Sequence, residues 1–198
     1  MTKAELRTIY KARRQNLSAK AVAEASNRIC GRWQAYTNSS DRIGGPVSVH
    51  IHVFLPIQSR NEVDTWPIIQ QLWQTDSAIT VVTSITNVGT GTLTHVALTP
   101  ASELTLNPYG IPEPNPATSR PVSAAVVDVV VVPLLVFDRQ GHRVGYGNGF
   151  YDRFLAECRP DCLKVGLSLF APVERIDDVT KTDISLDVCL TPDQTILF

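Results

Sequence analysis

VVVVPLLVFDRQGHRVGYGNGFYDRFLAEC, from Val129 to Cys158, is the stretch whose reading decides the fold. Its first nine residues, Val129 to Phe137, form an apolar run that predicts a buried strand. Asp138 and Gly141 then mark a turn, and Gly145, Gly147 and Gly149 follow at every second position. FYDRFLAEC, beginning at Phe150, has the spacing of an amphipathic helix. A strand, a glycine-rich loop and a helix N-terminus in that order offer backbone N–H groups and the positive end of a helix dipole to an anion. A phosphate is the expected anion.

Working outward, Leu163 to Phe170 reads as a further strand, and Asp187–Leu190 with Ile196–Phe198 complete a sheet. Upstream, Val47 to Leu55 alternates strictly, with Val47, Val49, Ile51, Val53 and Leu55 on one face and Ser48, His50, His52 and Phe54 on the other. Glu62 to Gln74 predicts a helix with Pro67 near its first turn. Ala78–Ile85 and Leu93–Leu98 predict strands around a turn at 87–91. A Pro-rich stretch from Thr99 to Ser123 is long enough to be functional. At the N-terminal end, Thr2 and Glu5 form a capping box over a helix with Leu6, Ile9 and Tyr10 as its apolar stripe. Ser18 caps a second helix with Val22, Ala25, Ile29 and Trp33 inward, and Gly44-Gly45-Pro46 ends the pair. Strands alternating with helices predict one layered α/β domain over residues 1–198, with a mostly parallel, Rossmann-like central sheet flanked by helices.

Composition excludes several classes. The net charge of −1 supplies no basic field for nucleic acid, and the apolar run is about half of a membrane span. MTKAELRTIYKARR has no apolar core of the secretory kind. The four cysteines (Cys30, Cys158, Cys162 and Cys189) are scattered without a CxxC pair, so free thiols in a reducing cytoplasm are expected.

The glycine loop lacks the GxxxxGK[ST] spacing of a P-loop and the GxGxxG of a dinucleotide fingerprint. Alone it could be a tight structural turn. Its setting sharpens the reading: Arg143 supplies a cation, and Tyr146, Phe150 and Tyr151 offer flat surfaces for a ring system. Asp152, in the first helical turn, either complements the dipole or holds Mg²⁺ against phosphates. Lys3, Arg7, Lys11 and Arg14 share a helical face, a stripe that is most often solvated. His50 and His52 lack an evident third metal ligand, and His95 and His142 read as surface or loop residues. Glu62 stands after a strand at the sheet edge where ligands bind, or caps the helix it begins.

The run PLLVFDRQGHRVGYGNGFYDRFL closely resembles the signature of the 5-formyltetrahydrofolate cyclo-ligases, also called 5,10-methenyltetrahydrofolate synthetases. Lys3-xxx-Arg7, Glu62-Val63-Asp64-Thr65, Gly110-Ile111-Pro112-Glu113-Pro114 and Asp183-xxx-Asp187 agree in order, so the resemblance spans nearly the whole chain. One departure is Thr83-Ser84-Ile85-Thr86, where many relatives carry a proline with basic residues nearby. The resemblance implies the ribose-5-phosphate-isomerase-like architecture and an ATP- and Mg²⁺-dependent monomer acting in one-carbon metabolism. It implies nucleotide contacts from Lys3, Arg7, Arg143, Val144, Gly145, Tyr146, Gly147, Asn148, Gly149, Phe150 and Tyr151. Folate would meet Leu55, Glu62 and the loop from Tyr146 to Phe150. Arg143 and Tyr151 would act in catalysis, and Asp152 and Asp187 would hold Mg²⁺. A folate- or nucleotide-binding protein without turnover, and a sugar-phosphate isomerase, are the alternative readings of the same fold.

Overall fold

In a computed structural model of the chain, residues 1–39, 48–75 and 78–198 are described. The helical pair comes first, α1 over Lys3–Gln15 and α2 over Ala19–Asn38. Thr2 and Glu5 form the expected capping box, and Ser18 accepts from the Ala21 amide. The Gly44-Gly45-Pro46 turn and Val47 lie outside the described residues. Then follow β1 (Val49–His52), α3 (Trp66–Thr75), β2 (Ile79–Asn87) and β3 (Thr92–Ala97). The Pro-rich stretch is not structureless. It folds into a small hairpin, β4 (Leu104–Leu106) with β5 (Pro112–Pro114), and a 3₁₀ turn at Ala124–Val126 follows it. After it come β6 (Val129–Pro133), β7 (Val136–Phe137), β8 (Arg143–Val144), α4 (Phe150–Glu157), β9 (Leu163–Leu167), β10 (Val188–Leu190) and β11 (Thr195–Leu197).

Seven strands form the main sheet in the order β11-β10-β9-β6-β1-β2-β3. The five inner strands are parallel, and the edges β3 and β11 are antiparallel. Successive residues of the inner strands bury opposite faces, as the two-residue period requires. Ile51, Val131 and Val165 pack under α2 and α3 with Ile29, Trp33, Ile68 and Ile69. Val130, Val132 and Cys189 pack on the other face with Phe154 and Leu155 of α4. Each large side chain so buried contributes about 1.5–3 kcal/mol. Helices on both faces make the sheet doubly wound.

Three expectations are corrected here. The nine-residue strand breaks after Pro133, which has no amide to donate to the ladder. The chain instead pairs with its own return, Leu135 N–H donating to the Val144 carbonyl (2.8 Å) and β7 pairing with β8. The strand face that carries His50 and His52, read as the polar one, is covered as both faces of a parallel sheet are, and His52 is fully buried. His95, read as a surface residue, is buried on β3.

β1 lies between β2, which the chain reaches next, and β6, which it reaches much later. The crossovers therefore diverge there, and a crevice opens beyond the carboxyl ends of β1 and β6. The loop after β1 carries Glu62, and the segment after β6 carries the glycine loop. Among the described residues, no helix is long and apolar enough to cross a membrane.

Candidate active site

That crevice is a cleft of about 1080 Å³. The sequence-predicted residues Lys3, Arg7, Leu55, Glu62 and the whole run from Arg143 to Asp152 line it. They come from three separate parts of the chain.

One wall is cationic. α1 crosses the β7–β8 hairpin, anchored by Leu6 and Tyr10 against Leu135, Val136, Val144 and Ile176. This docking turns the basic stripe inward: Lys3, Arg7 and Lys11 line the cleft, and Arg14 is buried beneath it. Arg7 Nε donates to the Gly145 carbonyl (3.0 Å). Gly147 adopts φ 105°, a conformation that favours glycine, and a Cβ there would stand 3.3 Å from the Arg7 guanidinium carbon, a tight approach. Gly149 is the N-cap of α4 and has no side chain to cap the first-turn amides. Arg143 donates to Asp152 (2.7 Å) and to the Ile184 carbonyl. Burial lowers the Arg143 pKa while Asp152 opposes the shift, and the guanidinium stays charged. Lys3 is ion-paired with Asp183.

A second wall, joined to the first through Tyr146, is built on Glu62. It is buried, four residues ahead of the first turn of α3, so it does not begin that helix. Its Oε2 accepts from the Ile57 amide (2.8 Å) and its Oε1 from the Tyr146 hydroxyl (2.5 Å). Arg14 stands 3.9 Å from Oε1 and donates to the Tyr146 oxygen. The Tyr146 ring has Lys11, Arg14 and Arg60 at 5.7, 5.3 and 5.0 Å from its centroid. Burial, then the Glu62 charge, pushes the Tyr146 hydroxyl well above the usual phenol range; the same two causes act on Tyr151. Both are therefore hydroxyl donors at neutral pH. Tyr151 packs edge-on against His52 (5.9 Å) and Phe154 (6.1 Å).

The third wall is β2 with the Pro-rich segment. Glu113 ties them together, accepting from the Thr86 amide and from Asn107 (both 2.8 Å), which brings Tyr109, Ile111 and Pro112 to the cleft. Ser84 lies on this wall, bonded to His52 Nε2 (2.7 Å) and His95 Nδ1 (3.0 Å). Burial lowers the pKa of both imidazoles, that of His95 to about 4. Their other nitrogens, His52 Nδ1 and His95 Nε2, have no partner among the described residues.

Asp187 is not brought to Asp152. It lies just ahead of β10, level with Lys164 near the start of β9, where its carboxylate takes the Lys164 amide (2.7 Å) and ammonium (2.9 Å). The cleft opens at the other end of these parallel strands, and Asp183 lines it instead. Among the described residues, no cluster of three or more His, Cys, Asp or Glu could hold a metal by itself. Asp152 still fits a cation held mainly by phosphates, since Mg²⁺ needs only one or two protein carboxylates. Its Oδ1 takes both protein bonds, from Arg143 and the Ile184 amide. Sequence reasoning missed Lys11, Arg60, Ser84, Tyr109, Arg153 and Asp183 as cleft residues. Lys11 was signalled by the stripe and Arg153 by its place after Asp152. Ser84 was signalled only as part of the Thr83–Thr86 departure, and the pairing of β2 with β1 and β3 is what reveals its imidazole neighbours.

Fold and cleft together define a doubly wound α/β protein with a deep, partly cation-lined cleft at its switch point. The model of the 5-formyltetrahydrofolate cyclo-ligase family matches residues 1–192. The 5-formyltetrahydrofolate cyclo-ligase of Escherichia coli K12 is 30% identical over 143 residues, 72% of this chain and 74% of that one. A solution structure of Aquifex aeolicus 5,10-methenyltetrahydrofolate synthetase superposes with a TM-score of 0.77 at 27% identity, covering 100% of this chain and 93% of that one. A Mycoplasma pneumoniae 5,10-methenyltetrahydrofolate synthetase shares the fold at 19% identity, with a TM-score of 0.73 and coverage of 97% and 99%. The chain belongs to the 5-formyltetrahydrofolate cyclo-ligase family.

Proposed function

We propose that this protein converts 5-formyltetrahydrofolate and ATP to 5,10-methenyltetrahydrofolate, ADP and phosphate. The observation that carries the proposal is that one cleft brings together the cations Lys3, Arg7 and Arg143, the glycine loop, and buried Glu62 bonded to Tyr146 of that loop. Polyphosphate suits the cations and the loop amides, and a hydrogen-bonding heterocycle suits Glu62.

A formamide oxygen is a poor leaving group. Transfer of the γ-phosphoryl group to it breaks the bond to ADP and leaves the formyl carbon electrophilic. N10 of the folate attacks that carbon, loses its proton, and phosphate departs as the ring closes. Phosphoryl transfer asks a protein for positioning and charge neutralisation more than for covalent chemistry. Lys3, Arg7 and Arg143 supply positive charge, and the loop from Val144 to Tyr151 supplies backbone donors and ring surfaces. Tyr151, held protonated, donates to a developing oxyanion. Leu55 and Glu62 position the folate, with Glu62 accepting an N–H. Mg²⁺ bound to the phosphates would neutralise their charge, and Asp152 is the residue that would hold it. Asp187, in its observed place, has no part in this.

Mixing the protein with 5-formyltetrahydrofolate, ATP and MgCl₂ should produce the near-ultraviolet absorbance of the methenyl product with stoichiometric ADP. No ATP-dependent product from folded protein would refute the proposal.

A further inference from the structure

We propose that Asn61 is a positioning residue for Glu62: its left-handed backbone turns the Glu62 carboxylate to the cleft, and its side-chain amide pins that loop to α1. The inference rests on the folate reading and adds to it the residue that sets where Glu62 stands.

Glu62 ends a short segment that closes on itself. A 3₁₀ turn at Gln58–Arg60 leads into Asn61 at φ 49° and ψ 44°, the only positive φ of a non-glycine residue among those described. Asparagine is one of the few residues with a side chain that visit this conformation routinely. The chain reverses there, and Glu62 Oε2 returns to the Ile57 amide (2.8 Å). A reversal alone would be served by glycine with less strain. What asparagine adds is its amide. Nδ2 donates to the carbonyls of Arg14 (3.0 Å) and Leu17 (2.9 Å) at the C-terminal end of α1, where helix carbonyls run out of partners.

These bonds close a ring. Asn61 grips the backbone of Arg14, whose guanidinium donates to the Tyr146 oxygen and stands 3.9 Å from Glu62 Oε1. Tyr146 donates to the same Oε1 (2.5 Å), and Glu62 follows Asn61 directly. The position of the carboxylate relative to α1 is thereby fixed twice, once through backbone and once through side chains. Strained backbone persists where its surroundings over-determine it, and it clusters at functional sites. α1 also carries Lys3 and Arg7, so Asn61 sets Glu62 in register with the cationic wall. Arg60 and Glu62 line the cleft on either side of Asn61, which does not line it and acts through Glu62. Misplacement of a reacting partner by about 1 Å can cost on the order of 100-fold in rate.

The test compares Asn61→Gly, which keeps the left-handed turn and removes the pin, with Ser18→Ala, which removes the cap of α2 outside the cleft. In Asn61→Gly, kcat/KM for 5-formyltetrahydrofolate should fall about 10-fold or more while the KM for MgATP stays within about twofold. Ser18→Ala should lower the urea midpoint and keep wild-type kinetics for both substrates. Wild-type folate kinetics in Asn61→Gly would overturn the assignment and leave the folate reading intact. Equal losses for folate and MgATP, or the same folate loss in Ser18→Ala, would also overturn it, since general loosening would then explain the effect. Wild-type protein that turns over no 5-formyltetrahydrofolate would sink that reading and this inference with it. If Asn61→Gly does not fold, the wild type decides through the side-chain amide protons of Asn61. Held by two carbonyls, they should exchange slowly with solvent and shift on saturation with 5-formyltetrahydrofolate; fast exchange or unchanged signals would refute the positioning.

Discussion

At the scale of the residue, Glu62 separates binding from stability most sharply. Its carboxylate meets the Ile57 amide and the Tyr146 hydroxyl beside buried Arg14, and it caps no helix. Glu62→Gln should lower kcat/KM for 5-formyltetrahydrofolate by about 10- to 150-fold, the loss of one charge-assisted bond. MgATP affinity should stay near normal. The same change leaves Arg14 less well paired, so a thermal melt belongs beside the kinetics. Wild-type folate kinetics would withdraw Glu62 from the site. Asp152→Ala should lower turnover by several orders of magnitude in a folded protein, and full activity in that variant would remove Asp152 from any role with phosphate. The glycine loop, Arg143 and Asp152 were legible in the sequence because they are neighbours along the chain. Asp187 was misplaced because its position depends on the register of β10 against β9, which spacing does not encode. The contact of Ser84 with His95 stayed illegible for the same reason: strand pairing puts them together.

At the scale of the element, the strands and helices of the sheet followed from periodicity, with boundaries shifted by a few residues. The break after Pro133 was written in the proline, but the apolar run around it concealed the break. α1 shows the opposite failure. Its caps and stripes were plain, yet a basic face on an amphipathic helix is ordinarily solvated, and only docking on the β7–β8 hairpin makes it a cleft wall. Replacing Lys3 and Arg7 together by alanine should raise the KM for ATP more than that for folate, and unchanged ATP kinetics would mark the stripe as structural. Leu6→Ala, at 1% exposure, should cost about 2–5 kcal/mol in urea unfolding and weaken ATP binding secondarily. The turn between β7 and β8 makes a separate stability prediction. Gly141 has φ 83°, and a Cβ there would stand 2.9 Å from the Leu186 carbonyl oxygen. Gly141→Ala should destabilise the fold by about 1–3 kcal/mol; an unchanged urea midpoint would contradict that geometry.

At the scale of the whole molecule, the buried imidazoles set the acid limit. His95 has a folded pKa of about 4 against an ordinary 6.5, and the shift of fully buried His52 has the same sign. The folded state disfavours their protonation. Their contribution is therefore fully present above about pH 6.5 and is lost as pH falls toward 4. For His95 alone the loss is on the order of 3 kcal/mol. Urea midpoints should fall between pH 7 and pH 4.5, and less so in His95→Gln; equal slopes would show that carboxylates alone set the limit. The span of the contacts of α1 has a consequence for synthesis. The partners of Arg14, Arg7 and Lys3 lie 132, 138 and 180 residues further along the chain. At ribosomal speed the first helix waits roughly ten to thirty seconds for them. During that interval Leu6 and Tyr10 have no hairpin to cover them, and the cleft has no cationic wall. Any chaperone that attends this protein should hold it by α1, and release should coincide with translation of the segment from Gly145 to Asp183.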